Sequence, residues 1–284
     1  MLARQRSILV LIVGLGVTTA VLSPIQALAS CLTLHGNLIQ GGLIWTTGPL
    51  GSRVSLDGES LDVLEDGTII AGFGRDAPAT AELVVEDGAD VCRQTLQIAP
   101  REYAVQRVQG VPQKTVTPPP EQLARIRQER ALVNAAKAKQ LLRPDLLHSA
   151  LAGFEWPTVG PISGVYGSQR YYNGAPGNPH YGVDVAVPVG TLVLAPAAGI
   201  VTLAEPDLFY SGGTVILDHG FRLSSAFLHM SEVLVEVGQE VNTGAVIGKV
   251  GATGRATGAH LDWRMNWRSH RIDPQLLAPP MPNP

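Results

Sequence analysis

Two motifs that lie about eighty residues apart carry histidine and aspartate at spacings that suit one divalent metal ion. The first is His180-Tyr-Gly-Val-Asp184 and the second is His260-Leu-Asp262. On a β-strand, residues two apart face the same side, so the His and Asp of the second motif point in one direction. Gly182 and Pro188 argue against a helix at the first motif, which is predicted as a loop entering a strand. The alternative is that both motifs are unrelated polar surface residues.

The segments around these motifs occur in a characteristic order. In the chain they read Gly190-Thr-Leu-Val-Leu-Ala195, Ala198-Gly-Ile-Val201, Phe227-Leu-His229-Met230, Val237-Gly-Gln-Glu-Val241, Gly244-Ala-Val-Ile-Gly248 and Gly254-Arg-Ala-Thr-Gly-Ala-His260. Together with the two motifs, this series resembles the lysostaphin/LytM-type zinc metallopeptidases, which cut peptide cross-links in bacterial cell walls. The resemblance covers about residues 156–277.

The resemblance implies one zinc ion per chain and assigns a role to each motif residue. His180 and Asp184 match two metal ligands of the family, and His260 and His229 match its catalytic histidines. The third family ligand is the second histidine of a His-x-His motif, and here that position is Asp262. Aspartate also ligates zinc, at about 2.0–2.2 Å. We therefore expect His180, Asp184 and Asp262 to hold the metal.

The exchange of histidine for aspartate has an electrostatic consequence. Two carboxylates neutralise the formal charge of a divalent ion, and a less positive metal acidifies its bound water less. From the sequence we expect activity that is slower or shifted to higher pH.

The function implied by the resemblance is a metalloendopeptidase that hydrolyses peptide cross-links of peptidoglycan. His229 and His260 would act as general base and oxyanion stabiliser, and the sequence does not say which does which. The alternative is a non-catalytic LytM-type domain that binds and activates another cell-wall hydrolase.

Residues 1–29 have the pattern of a secretory signal peptide. Arg4 and Arg6 precede an apolar run from Ile8 to Leu22, and Ala27-Leu-Ala29 forms a small-x-small cleavage site. The apolar run is shorter than the roughly 20 residues of a membrane span. The sequence predicts export to the periplasm or cell envelope, without a stable membrane span.

Cleavage after Ala29 removes two of the 21 basic residues and leaves 19 against 24 acidic ones. A mildly acidic chain lacks the basic surface that is typical of nucleic-acid binding. The predicted partner is the peptide part of peptidoglycan.

The only two cysteines are Cys31 and Cys92. An even count after a signal peptide predicts one disulfide formed in an oxidising compartment. The alternative is lipid attachment, because Leu28-Ala-Ser-Cys31 also resembles a bacterial lipobox.

The chain is predicted to be mostly β. In residues 30–106, short apolar segments alternate with Asp-Gly turns at positions 57, 66 and 87, which indicates a small antiparallel, Ig-like β-sandwich as an accessory domain. Residues 150–280 have short β-segments with glycine turns, so we expect a LytM-type antiparallel β-sheet domain with an open groove.

The two predicted domains are joined by a proline-rich linker at residues 107–120 and a helix at residues 121–143. The helix segment lacks Gly and Pro, begins with Glu121 and ends with basic residues, which complements the helix dipole. Its apolar positions are Leu123, Ile126, Val133, Ala136 and Leu141. These positions either pack on the parent protein or recruit an envelope protein partner.

Overall fold

The computed structural model describes residues 30–282, so the predicted signal peptide lies outside the described residues. The N-terminal region consists of two antiparallel sheets, ordered β1-β2-β5 and β4-β3-β6-β7. Their strands are β1 (His35–Gly36), β2 (Leu43–Thr47), β3 (Arg53–Leu56), β4 (Glu59–Leu61), β5 (Thr68–Gly72), β6 (Thr80–Asp87) and β7 (Asp90–Gln97). The turns between β3 and β4 and between β6 and β7 carry the predicted Asp-Gly dipeptides, where the glycines adopt positive φ.

The predicted disulfide is present in this region. Cys31 and Cys92 are bonded, with their Cα atoms 5.7 Å apart. The bond ties the first described residues to β7. Lipid attachment to Cys31 would require the same sulfur atom that forms this disulfide.

The connecting segment contains more regular structure than the sequence predicts. It includes strand β8 (Val105–Val108), helix α1 (Gln113–Val116), a 3₁₀ turn (Pro120–Gln122), helix α2 (Leu123–Ala138) and helix α3 (Pro144–Ala152). The predicted linker at 107–120 is therefore partly strand and helix. No helix among residues 30–282 combines the length and apolar character that a membrane crossing needs.

The predicted end of the long helix is wrong. α2 stops at Ala138, five residues before Arg143, and Arg143 instead precedes α3. Pro144 explains why the helix does not reach Arg143, because a proline disfavours helical backbone in the residue before it. Arg143 accordingly has φ −119° and ψ 87°.

Helix α2 uses part of its apolar side within the molecule. Val133 and Ala136 pack against a small core that includes Ile216 and Leu228 of the large sheet. Leu123 and Leu132 remain exposed. An envelope partner that binds this helix stays a prediction.

The C-terminal region is built around one sheet ordered β18-β14-β15-β16-β20-β12-β9, with β21 paired to β20. Smaller sheets are formed by β13-β19-β17 and by β11-β10-β8. The strands are β9 (Ile162–Gly164), β10 (Gln169–Tyr172), β11 (Ala175–Pro176), β12 (Val183–Val185), β13 (Leu192–Leu194), β14 (Gly199–Leu208), β15 (Gly212–Asp218), β16 (Leu223–Met230), β17 (Glu232–Val233), β18 (Glu240–Val241), β19 (Val246–Lys249), β20 (Leu261–Trp267) and β21 (His270–Ile272). A final 3₁₀ turn spans Pro274–Leu276. The predicted mostly β fold is confirmed.

The N-terminal region packs directly on the β20–β21 hairpin. A Cβ atom at Gly72 would lie 2.7 Å from Ile272 Cδ1 and 3.3 Å from Trp267 Cβ, so the glycine permits a close approach of the two regions. Beside it, Arg101 Nη1 donates to Asp273 Oδ2 at 2.8 Å. The Asp273 side chain is 1% exposed, so this ion pair lies inside the contact between the two regions.

Replacing Arg101 with Ala should destabilise the protein because it leaves the buried Asp273 carboxylate without its cation. Breaking one side of a buried pair costs about 3 kcal/mol or more. Arg53→Ala is the matched control, since the Arg53–Glu86 pair is largely exposed, and it should change stability by less than about 1 kcal/mol. Urea denaturation measures both, and equal losses would contradict the buried contact.

Candidate metal site and catalytic cleft

Three of the predicted site residues converge in the middle of the large sheet. β12 and β20 are antiparallel neighbours, and their register places Asp184 directly opposite Asp262. His180 lies just before β12 and reaches both carboxylates. All three side chains are buried, and one potential ligand atom from each lies within 4.8 Å of the others.

The histidine presents one particular nitrogen to the carboxylates. His180 Nε2 is 3.0 Å from Asp184 Oδ1 and 3.5 Å from Asp262 Oδ1. Its Nδ1 faces the carbonyl oxygen of Val165 at 3.3 Å, which assigns the proton to Nδ1. A metal-binding histidine is commonly oriented in this way by a carbonyl behind it.

Two of the three inner atoms of the cluster lack ordinary hydrogen-bond partners. Among the described residues, His180 Nε2 and Asp184 Oδ1 are buried and have no partner in hydrogen-bond geometry. Buried polar atoms are normally satisfied. One imidazole nitrogen and two carboxylate oxygens are suitable donors for zinc, so the residues fit a metal ion.

Two arginines, buried Arg170 and half-buried Arg264, hold the two carboxylates. Arg264 Nε and Nη2 donate to Asp262 at 3.0 Å and 2.6 Å. Arg170 Nη2 donates to Asp184 Oδ2. Both Oδ1 atoms lie toward His180, and that of Asp262 also accepts the hydrogen bond from Arg264 Nε.

These arginines correct the electrostatic argument drawn from the sequence. The sequence argument counts the two carboxylates alone, whereas each of them is paired with an arginine. The net charge of the group therefore includes Arg170 and Arg264 as well. Burial raises the pKa of Asp262, yet Arg264 and His180 outweigh it and hold that pKa well below its usual range.

His229 and His260 lie next to each other beside this cluster. Their ring centroids are 4.8 Å apart, and His260 Nε2 is 3.9 Å from Asp184 Oδ1. His229 Nδ1 faces the carbonyl of Thr253 at 2.8 Å, and His260 Nδ1 faces that of Gly258 at 2.9 Å. In neutral imidazoles, this arrangement leaves each Nε2 as a lone pair facing the cleft.

Burial separates the two histidines chemically. His229 lies inside the sheet, and burial lowers its pKa to about 4. It is therefore neutral at neutral pH. His260 is the more exposed ring and lies at the start of β20, at the edge of the cleft.

The connecting segment forms one wall of the cleft, which has a volume of about 270 Å³. β8 pairs in parallel with β10, which places Gln106 opposite Arg170. Gln106 Oε1 accepts a hydrogen bond from Arg170 Nε at 2.8 Å. Val108 and Val111 also line the cleft. Gln106, which lies outside the predicted LytM-type domain, thus orients Arg170, and Arg170 in turn binds Asp184.

Sequence reasoning missed the roles of Arg170, Arg264 and Gln106. For Arg264 a signal exists, because it follows Asp262 by two residues and so faces the same side of a strand. No local pattern identifies Gln106, since its partner is 64 residues away.

Residues 178–274 match the model of peptidase family M23. The peptidoglycan DD-endopeptidase ShyA of Vibrio cholerae is 37% identical over 103 residues, which are 36% of this chain and 24% of that protein. The DD-carboxypeptidase/endopeptidase Mpg of Neisseria meningitidis is 36% identical over 103 residues, with the same coverage. The chain therefore spans about a quarter of the length of these curated relatives.

A crystal structure of a Pseudomonas aeruginosa protein assigned to peptidase M23 matches much more of the chain. It is 31% identical, with a TM-score of 0.61, over 84% of this chain and 93% of that one. The chain belongs to peptidase family M23. The resemblance seen in the motifs is confirmed.

The metal-free site should show a characteristic pH dependence through His180. Burial lowers the pKa of His180, but Asp262 and Asp184 together raise it above the ordinary value of 6.5. A raised folded-state pKa stabilises fully below about pH 6.5, and the stabilisation is lost as the pH rises through that pKa. In chelator-treated protein, the loss of stability caused by His180→Gln should be larger at about pH 6 than at about pH 9.

Urea denaturation of both proteins at the two pH values measures this difference. A loss that is equal at both pH values, or larger at the alkaline one, would contradict the interaction of a charged His180 with the two aspartates.

Proposed function

We propose that the protein is an exported zinc metalloendopeptidase that hydrolyses peptide cross-links of peptidoglycan. The observation that carries the proposal is the convergence of His180 Nε2, Asp184 Oδ1 and Asp262 Oδ1 beside His229 and His260. The names of the relatives support peptidoglycan as substrate. The disulfide supports an oxidising compartment, in agreement with the predicted signal peptide.

His180, Asp184 and Asp262 would hold the metal. A zinc ion with three protein ligands supplies an acidified water and polarises the scissile carbonyl. The protein's own contribution is to keep the ligand atoms oriented, through Val165 behind His180 and through the arginines behind the aspartates.

The two histidines take different roles in this proposal. His260 is the general base, because its Nε2 lone pair faces the cleft near the ligand cluster and its Nδ1 is held by Gly258. After accepting the proton, it can deliver it to the leaving amine. His229 stays neutral because of its burial, so its Nε2 would orient the water as a hydrogen-bond acceptor.

Removing the metal or the general base should abolish hydrolysis. A chelator should stop the release of peptides from purified sacculi, and zinc should restore it. His260→Ala should lower the rate by about 10²–10⁴-fold while zinc content stays near one per chain, because His260 is not a ligand. His35→Ala, at an exposed position far from the cleft, is the control.

Mass spectrometry of the released fragments and metal analysis measure these outcomes. Release that is insensitive to chelator would overturn the metalloenzyme. A protein that releases nothing alone but accelerates another wall hydrolase would favour the non-catalytic alternative.

Zinc affinity should depend on residues 262 and 264 together. Arg264→Gln should weaken zinc binding by about 10–100-fold, because Asp262 loses the partner that orients it. Asp262→His alone should also weaken binding, since it leaves the Arg264 cation unpaired beside the metal. The double variant Asp262→His/Arg264→Gln should recover affinity, because it removes that cation.

Competition with a chelating dye measures all three affinities. Tight binding by Asp262→His alone, with no gain from the second substitution, would show that Arg264 does not support the ligand.

A further inference from the structure

A second polar pocket lies at the other end of β20, with a volume of about 280 Å³. Its walls come from the end of α2, the turn between β15 and β16, and the β20–β21 hairpin. Four of its lining residues are basic, namely Lys137, Arg222, Arg268 and Arg271. None of the described residues that line it is acidic.

Only one of these four cations has acidic partners. Arg268 donates from Nη1 to Glu59 at 2.7 Å and lies 3.2 Å from Asp62 through Nη2. Both acids belong to the N-terminal region, and neither lines the pocket. Among the described residues, Lys137, Arg222 and Arg271 form no ion pair. The pocket therefore carries uncompensated positive charge.

Several hydrogen-bond donors in this pocket are buried without acceptors. Asn266 is 2% exposed, and its Oδ1 accepts from Arg271 Nη1 at 2.6 Å. Its Nδ2 has no partner among the described residues, and the same holds for Arg222 Nε and Arg268 Nε. Each buried donor left unsatisfied is unfavourable. All three groups are donors, so what the pocket lacks is an acceptor.

The end of helix α2 does not account for this cluster. Cations near a helix C-terminus are stabilised by the helix dipole, and Lys137 occupies that position. The dipole gives no acceptor to the amide of Asn266. Burial, followed by repulsion from Arg271 and Arg264, lowers the pKa of Lys137 well below its usual range. A negative charge in the pocket would oppose this repulsion and favour the charged form of Lys137.

We propose that this pocket binds one oxyanion, a phosphate or carboxylate group, through Arg222, Asn266 and Arg268. An oxyanion supplies both the acceptor atoms and the negative charge that the pocket lacks. Asn266 and Asp262 lie on the same face of β20, four residues or about 13 Å apart along the strand. The anion site is therefore separate from the candidate metal site and does not rest on the proposed function.

Binding there would join helix α2 to the β20–β21 hairpin, so it should stabilise the folded protein. The test is thermal unfolding of the chelator-treated full chain in phosphate, acetate or chloride at equal ionic strength. Phosphate or acetate should raise Tm saturably, and chloride should not. A response to phosphate identifies a phosphate group as the natural ligand class, and a response to acetate alone identifies a carboxylate.

Two variants connect the response to this pocket. Arg222→Gln should weaken the anion about tenfold by removing a charged donor. Asn266→Asp places a carboxylate in the pocket, so it should raise Tm without added anion and abolish the response. Arg53→Gln, in an exposed ion pair elsewhere, should respond like the original protein.

Equal Tm values in phosphate, acetate and chloride would overturn the proposal. An unchanged response in folded Arg222→Gln would also overturn it, because the anion would then bind elsewhere. If Asn266→Asp fails to fold, Lys137→Met and Arg222→Gln decide the question by the same shift in affinity.

Discussion

The pairing of two aspartates with two arginines allows this site to exist inside a sheet. Asp184 and Asp262 face each other across neighbouring strands, where like charges repel. Arg170 and Arg264 compensate this repulsion and fix the orientation of each carboxylate. The charge of Asp262 is therefore offset by the arginine two residues later on the same strand. Counting the aspartates without their arginines gives the wrong net charge for the group.

The same pairing makes the connecting segment part of the site. Arg170 is held by Gln106. Gln106 lies on β8, which follows the N-terminal region in the chain and pairs with β10 in the small sheet β11-β10-β8. Together with the Arg101–Asp273 pair, this strand joins the two regions by buried polar contacts. The division of the chain into an accessory domain, a linker and a peptidase domain describes the sequence better than it describes the packing.

Sequence reasoning predicted the features that depend on local pattern. The Asp-Gly turns, the cysteine pair and the mostly β fold follow from residues that act near themselves in the chain. The convergence of His180, Asp184 and Asp262 was accessible only through the resemblance, because no periodicity relates segments so far apart. The early end of α2 could have been read from Pro144. Gln106 could not, because its role arises from a parallel strand pairing that no turn specifies.

The site has a further property that follows from how far apart its parts lie in the chain. Gln106 and Arg170 are separated by 64 residues, and Asp262 comes later still. Pairings between such distant strands form late in folding, because the intervening chain must first lose its freedom. Until β20 is available to pair with β12, Asp184 has no Asp262 opposite it. The order of folding thus delays the assembly of the metal-binding geometry until nearly all of the protein is in place.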